Sequence, residues 1–349
     1  MNGRAGRNPR SFGCTGLSRS IAVGRAPCGQ PALTVEWDER QYTERPAPCD
    51  PCLKGDTHMA RFGIHLSISG GVANAAARAR ELGCDAFQIF SRSPRTLKAK
   101  PLDSDDVSAF RAAVSESGLH PVVVHVNYLI NVASPKDDTY QRSVDALTDE
   151  LVRADILGAE LVVMHPGNHV GSGVEAGTMR IAAAIDRAYE ATGAKARLCL
   201  ENMAGAGTEL GTSFVELSMI IDAARCGPGL GVCFDTCHAY GAGYDVATAR
   251  GLEAALAEAE SAVGIDRIVM VHANDSRGQL GARKDRHEHI GEGMIGLAGF
   301  RNILARPELA NLPFILETPV DSPEDQARDL AALRSCAPQL EQQQLTVEG

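Results

Sequence analysis

The chain has 349 residues, 44% of them hydrophobic and 22% charged, with a formal net charge of −10. It is long and apolar enough for a sizeable core, and its overall sign is wrong for a uniformly basic nucleic-acid binder. No apolar run approaches the ~20 residues of a membrane helix and no signal-peptide core is visible, so a cytoplasmic protein with no membrane partner is expected. Ten cysteines in a chain of this length do not read as a disulfide framework. Cys84, Cys199, Cys226 and Cys233 fall in or beside helix- and strand-like segments, where small thiols serve as core filler.

Residues 1–58 scatter Gly, Pro, Arg and Cys without period and offer no stripe that could bury a core, which predicts a disordered extension. The Arg- and Ser-containing start resembles a transit peptide, but Met59 opens MARFGIHLS directly before the first barrel-like strand, so the extension is read as a non-native or mis-assigned start. Cys49 and Cys52, in CDPC, have zinc-knuckle spacing with no second pair nearby. From Met59 onward the apolar runs GIHLS, DAFQIF, VVVHV, LVVMHPG, LCLEN, GVCFD, IVMVH and FILET alternate with Ala/Glu/Arg-rich stretches of helical period. Short Val/Ile/Leu/Phe runs between helices are how strands buried on both faces of a parallel sheet read. Eight such units predict an α/β protein, a single (β/α)8 TIM barrel over residues 59–349, with its active site where the strands end.

Seven of the eight runs end in a histidine or carboxylate: His65, His125, His165, Glu201, Asp235, His272 and Glu317. Two local motifs add to these. In DTCH, Asp235 and His238 lie where a strand gives way to a turn and can reach neighbouring ions. In DRH, Asp285 and His287 have the two-residue spacing that points both side chains to one side. Imidazole and carboxylate suit zinc or manganese. Apart from His65, nine candidate donors result, enough for three ions and excessive for one. Two loops on the same face are basic: SRSPRTLKAK supplies Arg92, Arg95, Lys98 and Lys100, and SRGQLGARKDR supplies Arg277, Arg283, Lys284 and Arg286. Cations ringing the mouth of an acidic barrel suit a polyanion gripped on one face.

The ordered motifs GIHLSISGG, HVNYLIN, HPGNH, ENMAGAGTELG, GVCFDTCHA, HANDS, GARKDRHEHIGEG and FILETP resemble the endonuclease IV family of apurinic/apyrimidinic endonucleases, within the xylose isomerase-like TIM barrels. The resemblance runs from about Arg61 to beyond Glu317. It implies three Zn2+ ions, with Mn2+ possible at one or more positions. His125, His165 and Glu201 would hold the first. Glu201, as a bridge, would hold the second with Asp235, His272 and Glu317, and His238, Asp285 and His287 the third. It further implies a monomer that hydrolyses the phosphodiester 5′ to an abasic site in double-stranded DNA, through a hydroxide held between two ions, leaving a 3′-hydroxyl and a 5′-deoxyribose phosphate. Trimming of 3′-blocked ends is also implied. Arg95, Tyr128 and Leu129 would enter the DNA at the damage. The chain departs from the family at Leu97, where an aromatic is common, and at Val126 and Asn127, between His125 and Tyr128. A divalent-metal sugar isomerase or epimerase on the same barrel is the alternative, but it leaves the DRH loop unexplained.

Overall fold

A computed structural model of the protein describes residues 19–23, 33–37 and 60–338. Two segments of the N-terminal extension, β1 (Arg19–Val23) and β2 (Leu33–Trp37), pair antiparallel from Arg19↔Trp37 to Val23↔Leu33. Cys49 and Cys52 lie outside the described residues.

The remainder is the expected barrel. Its strands and helices follow in order: β3 (Arg61–Leu66), α1 (Val72–Glu81), β4 (Ala86–Phe90), α2 (Ser104–Ser117), β5 (Val122–His125), α3 (Asp137–Leu157), β6 (Leu161–Met164), α4 (Val174–Thr192), β7 (Arg197–Glu201), α5 (Phe214–Ala223) and β8 (Gly231–Asp235). Then come α6 (Thr236–Ala242), α7 (Ala249–Ala262), β9 (Ile268–His272), the two-residue β10 (Asp275–Ser276) and β11 (His287–Glu288), α8 (Gly296–Leu304), β12 (Pro313–Leu316) and α9 (Asp325–Ser335). Eight parallel strands close in the order β12-β3-β4-β5-β6-β7-β8-β9. No helix among the described residues is long and apolar enough to cross a membrane.

Strand period explains how the barrel builds a site. Ala86, Val123, Leu161, Val163, Cys199, Cys233, Met270 and Ile315 pack together as one buried cluster. Because successive side chains alternate faces, the residue two further along each strand points to the same interior, one layer higher. Those residues are Gln88, His125, His165, Glu201, Asp235, His272 and Glu317. At β3 the matching pair is Gly63 and His65. A Cβ on Gly63 would lie 2.2 Å from the Ala86 carbonyl oxygen, so only glycine fits this close approach of two strands. Burial holds the Cys199 thiol up at about 12 and raises Cys233 well above its ordinary value. Both are neutral filler beneath the polar layer. Cys84 is likewise buried, whereas Cys226 is only half-buried.

Candidate metal centre

Glu201 is fully buried at the centre of the polar layer, and its two oxygens face different partners. Oε2 lies 3.1 Å from His125 Nε2 and 3.3 Å from His165 Nε2, whereas Oε1 lies 3.1 Å from His272 Nδ1. His272 Nδ1 in turn is 3.3 Å from Glu317 Oε2 and 3.8 Å from Asp235 Oδ2. Donor atoms of Glu201, Asp235, His272 and Glu317 all fall within 4.8 Å of one another, as do those of His125, Glu201 and His272.

A third group sits beside these. Asp235 caps α6, its Oδ1 accepting from the backbone N–H of His238 at 2.6 Å. The expected turn after β8 is therefore the start of a short helix, and the cap fixes the carboxylate and imidazole relative to each other. The β10–β11 ladder pairs Ser276 with His287, which delivers the DRH motif to the same place. Asp285 Oδ1 is 3.1 Å from His287 Nε2 and its Oδ2 is 3.4 Å from His238 Nε2.

The tautomers support ligation. His125 Nδ1 donates to the Val126 carbonyl at 2.8 Å, His238 Nδ1 to the Asn202 carbonyl at 3.0 Å and His287 Nδ1 to the Glu317 carbonyl at 2.9 Å. In each ring that leaves Nε2 as the lone-pair nitrogen aimed into the site. His238 Nε2 and His287 Nε2 are buried without a hydrogen-bond partner, although Asp285 is close to both. Donor atoms gathered around a common point but out of hydrogen-bonding line are the arrangement a cation requires, so these residues fit divalent ions. In His272 the roles reverse: Nε2 donates to Gln88 Oε1 at 2.9 Å, and Nδ1 faces the carboxylates.

Gln88 was missed because the run DAFQIF ends without an ionisable group. It occupies the same inward position as the ligands of the other strands, two residues after Ala86, and that offset is the signal that would have found it. Its Nε2 donates to Glu317 Oε1 at 2.7 Å, beside His65 Nδ1 at 3.0 Å from the same oxygen. Asn274 is a second such residue: its Nδ2 donates to Asp235 Oδ2 at 2.7 Å, and its Oδ1 accepts from the Glu317 backbone at 2.8 Å.

Charge is balanced inside the cluster. Burial works to raise the Glu201 carboxyl, but the facing His272 and His165 hold it well below the usual range. At Asp235 burial wins and the carboxyl is raised, against the pull of His238 and His287. Burial opposes a charge on His238, yet Asp235, Asp285 and Glu201 push its imidazole well above the ordinary value. His287, also opposed by burial, is pushed up to about 9 by Asp285 and Asp235. Carboxylates and imidazoles thus offset one another across the cluster, and a bound metal cation would face the same carboxylates.

The cluster opens through a cleft of about 390 Å³ lined by His65, His125, His165, His238, Asp285, His287, Glu317 and Tyr128, among others. Tyr128 and Leu129 are exposed at 56% and 42% on the turn after β5, and Arg95 is exposed on the turn after β4. Arg92 is a correction to the ring of mouth cations. It is 4% exposed, with Nε 2.6 Å from Glu150 Oε1 and Nη2 2.7 Å from Asp149 Oδ2, so it faces α3 and not the mouth. Arg277 is exposed but paired with Glu288 at 2.7 Å. Arg95, Lys98, Lys100, Arg283, Lys284 and Arg286 are exposed as expected. His289 pairs with Asp329 at 2.8 Å, and His169 Nδ1 accepts from the backbone of Gly171 and Gly173, which places both outside the donor cluster.

Residues 76–336 match the model of the xylose isomerase-like TIM barrel family. The chain is 49% identical over 280 residues to a probable endonuclease 4 of Methanoculleus marisnigri, covering 80% of this chain and 99% of that protein. It is 45% identical over 281 residues to a probable endonuclease 4 of Chloroflexus aggregans, covering 79% and 98%. The crystal structure of endonuclease IV from Thermus thermophilus superposes with a TM-score of 0.71 at 40% identity, covering 79% of this chain and 98% of that one. A D-tagatose 3-epimerase-like protein superposes at 0.62 with 22% identity, covering 79% and 96%; that likeness is one of fold.

Proposed function

Since the chain belongs to the endonuclease IV family, we propose that it is an apurinic/apyrimidinic endonuclease of DNA repair. It hydrolyses the phosphodiester 5′ to an abasic site in duplex DNA, leaving a 3′-hydroxyl and a 5′-deoxyribose phosphate, and trims 3′-blocked ends at the same centre. The observation that carries this reading is the convergence of nine His, Asp and Glu donors beside two exposed turns bearing Arg95 and Tyr128–Leu129. Three divalent ions, zinc with manganese as a substitute, are assigned to the donors. His125, His165 and Glu201 would hold the first, Glu201, Asp235, His272 and Glu317 the second, and His238, Asp285 and His287 the third. When bound, such ions supply an activated water and neutralise charge developing on phosphate oxygens.

The chain's own residues do the rest. Glu201, with Oε2 facing His125 and His165 and Oε1 facing His272, would serve both of the first two positions. Gln88, Asn274 and the backbone carbonyls hold the ligand rings and carboxylates in one orientation before substrate arrives, which reduces reorganisation during the reaction. An abasic site has no base to read and stacks poorly there, so recognition falls to side chains that fill the gap: a guanidinium, a phenol ring and a leucine wedge. The sugar-isomerase alternative gives no role to the group of His238, Asp285 and His287 or to the exposed wedge.

The test is cleavage of an end-labelled duplex carrying one tetrahydrofuran analogue, which cannot undergo β-elimination. A cut on its 5′ side that leaves a 3′-hydroxyl, lost on chelation and restored by zinc or manganese, is expected. Fully metallated protein that leaves the duplex intact would exclude this function.

A further inference from the structure

Asn127 is 1% exposed and lies between the two turns that carry the wedge. The first turn, Ser93–Pro94–Arg95–Thr96, is closed by the Thr96 N–H donating to the Ser93 carbonyl at 3.4 Å. Proline holds the second position, where its fixed φ suits a turn, and Arg95 is at the tip. In the second turn the Ile130 N–H donates to the Asn127 carbonyl at 3.0 Å, with Tyr128 and Leu129 at the tip. The side chain of Asn127 serves both. Its Oδ1 accepts from the Leu129 N–H at 2.8 Å, a local Asx turn. Its Nδ2 donates to the carbonyls of Ser93 at 3.1 Å and Thr96 at 3.0 Å, the residues that bracket Pro94 and Arg95.

A carboxamide has two donor hydrogens and an acceptor oxygen, and here both hydrogens are spent on one loop and the oxygen on the other. The rest of the first loop is held by Arg92, itself paired with Asp149 and Glu150 of α3, and by Arg153 of α3: Arg92 Nη1 donates to the Leu97 carbonyl at 2.8 Å and Arg153 Nη1 to the Lys100 carbonyl at 2.9 Å. Among these contacts, Asn127 alone joins the tip of the Arg95 turn to the Tyr128–Leu129 turn.

We propose that Asn127 is a positioning residue for damage recognition, setting the spacing between Arg95 and Tyr128–Leu129 so that both enter one gap in the duplex. The inference rests on the function proposed above. Being buried, Asn127 offers no surface to DNA, so its effect passes through the wedge residues.

The experiment compares Asn127→Ser with wild type. Serine keeps a short acceptor for the Leu129 N–H but does not reach Ser93 or Thr96. KM and kcat are measured on the tetrahydrofuran duplex, together with Ki for an undamaged duplex as competitor. Loss of two hydrogen bonds predicts a KM raised about ten-fold, a smaller change in kcat and an unchanged Ki. In an Arg95→Ala background the same substitution should add far less, because the group it positions is gone. Equal losses in both backgrounds, or a Ki that rises in step with KM, overturn the positioning role. If the serine variant does not fold, Asn127→Gln, which stays neutral but displaces the carboxamide by one methylene, goes through the same cycle. A wild type that does not cut the duplex defeats the function itself; a wild type that cuts and a variant that discriminates damage equally well defeats only the inference.

Discussion

Glu201 and Gln88 show how one side chain in the interior layer does work that no neighbour duplicates. Glu201 faces His125, His165 and His272, so Glu201→Gln removes the charge that balances them and halves its capacity as a two-sided acceptor. Cleavage of abasic duplex is expected to fall below detection while the far-ultraviolet circular dichroism stays that of the folded barrel. Gln88 acts one step away by holding the His272 ring and the Glu317 carboxylate. Replacing it with leucine keeps the volume and removes both contacts. Partners of this kind are worth about 10- to 100-fold in metal affinity, so zinc retention against a competing chelator should drop by that order, and unchanged retention would remove Gln88 from the site. Six of the nine candidate ligands were legible in the sequence because they end apolar runs, and His238, Asp285 and His287 through the DTCH and DRH motifs. The uncharged partner was not, since glutamine in a strand is chemically silent until the register two residues after the core layer is known.

Among the elements, the loop after β4 is held by a network that sequence alone conceals. Arg92 reads like the other cations of its loop, but it pairs with Asp149 and Glu150 of α3, and Ser91 bonds Glu150 while Arg153 bonds Ser91 beside it. Only tertiary pairing distinguishes it from Arg95. Arg92→Ala leaves Glu150 buried without its partner, and breaking such a pair costs about 3–5 kcal/mol, measurable as a lowered denaturant midpoint at unchanged slope. The outer helices carry a pH-sensitive tie. Asp186 of α4 is buried and accepts from the backbone N–H groups of Arg225 and Cys226, just after α5. Burial pushes its carboxyl up, but these bonds outweigh that and hold it below the usual value. A depressed folded value means the stabilisation is present above the unfolded value of about 3.9 and lost as pH falls through the folded one. Asp186→Asn should therefore be less stable than wild type at neutral pH, with the gap closing below about pH 4; a gap independent of pH would show that charge plays no part. All eight barrel strands were legible from their apolar runs. The β10–β11 ladder was not, because two residues per strand are too few to carry a period, and α6 was read as a turn because TCHAYGA has no apolar stripe.

Across the whole molecule, an acidic chain would meet a polyanion through a local exception to its own sign. Six exposed cations remain at the mouth once Arg92 and Arg277 are set aside, and each neutralised phosphate contributes about −0.9 to the slope of log affinity against log salt. A slope for undamaged duplex no steeper than about −5 is expected, and a markedly steeper one would show further cations in contact. Stripping the ions leaves four carboxylates facing the phosphates, so chelated but folded protein should bind DNA more weakly than the metallated form, as fluorescence anisotropy can report. Closure of the barrel has a consequence for biosynthesis. The last strand, β12, pairs with both β3 and β9, and Glu317 follows directly after it. A truncated product lacking β12 would lose Glu317 and the pairing that joins β9 to β3, and so would carry an incomplete donor set in an open sheet.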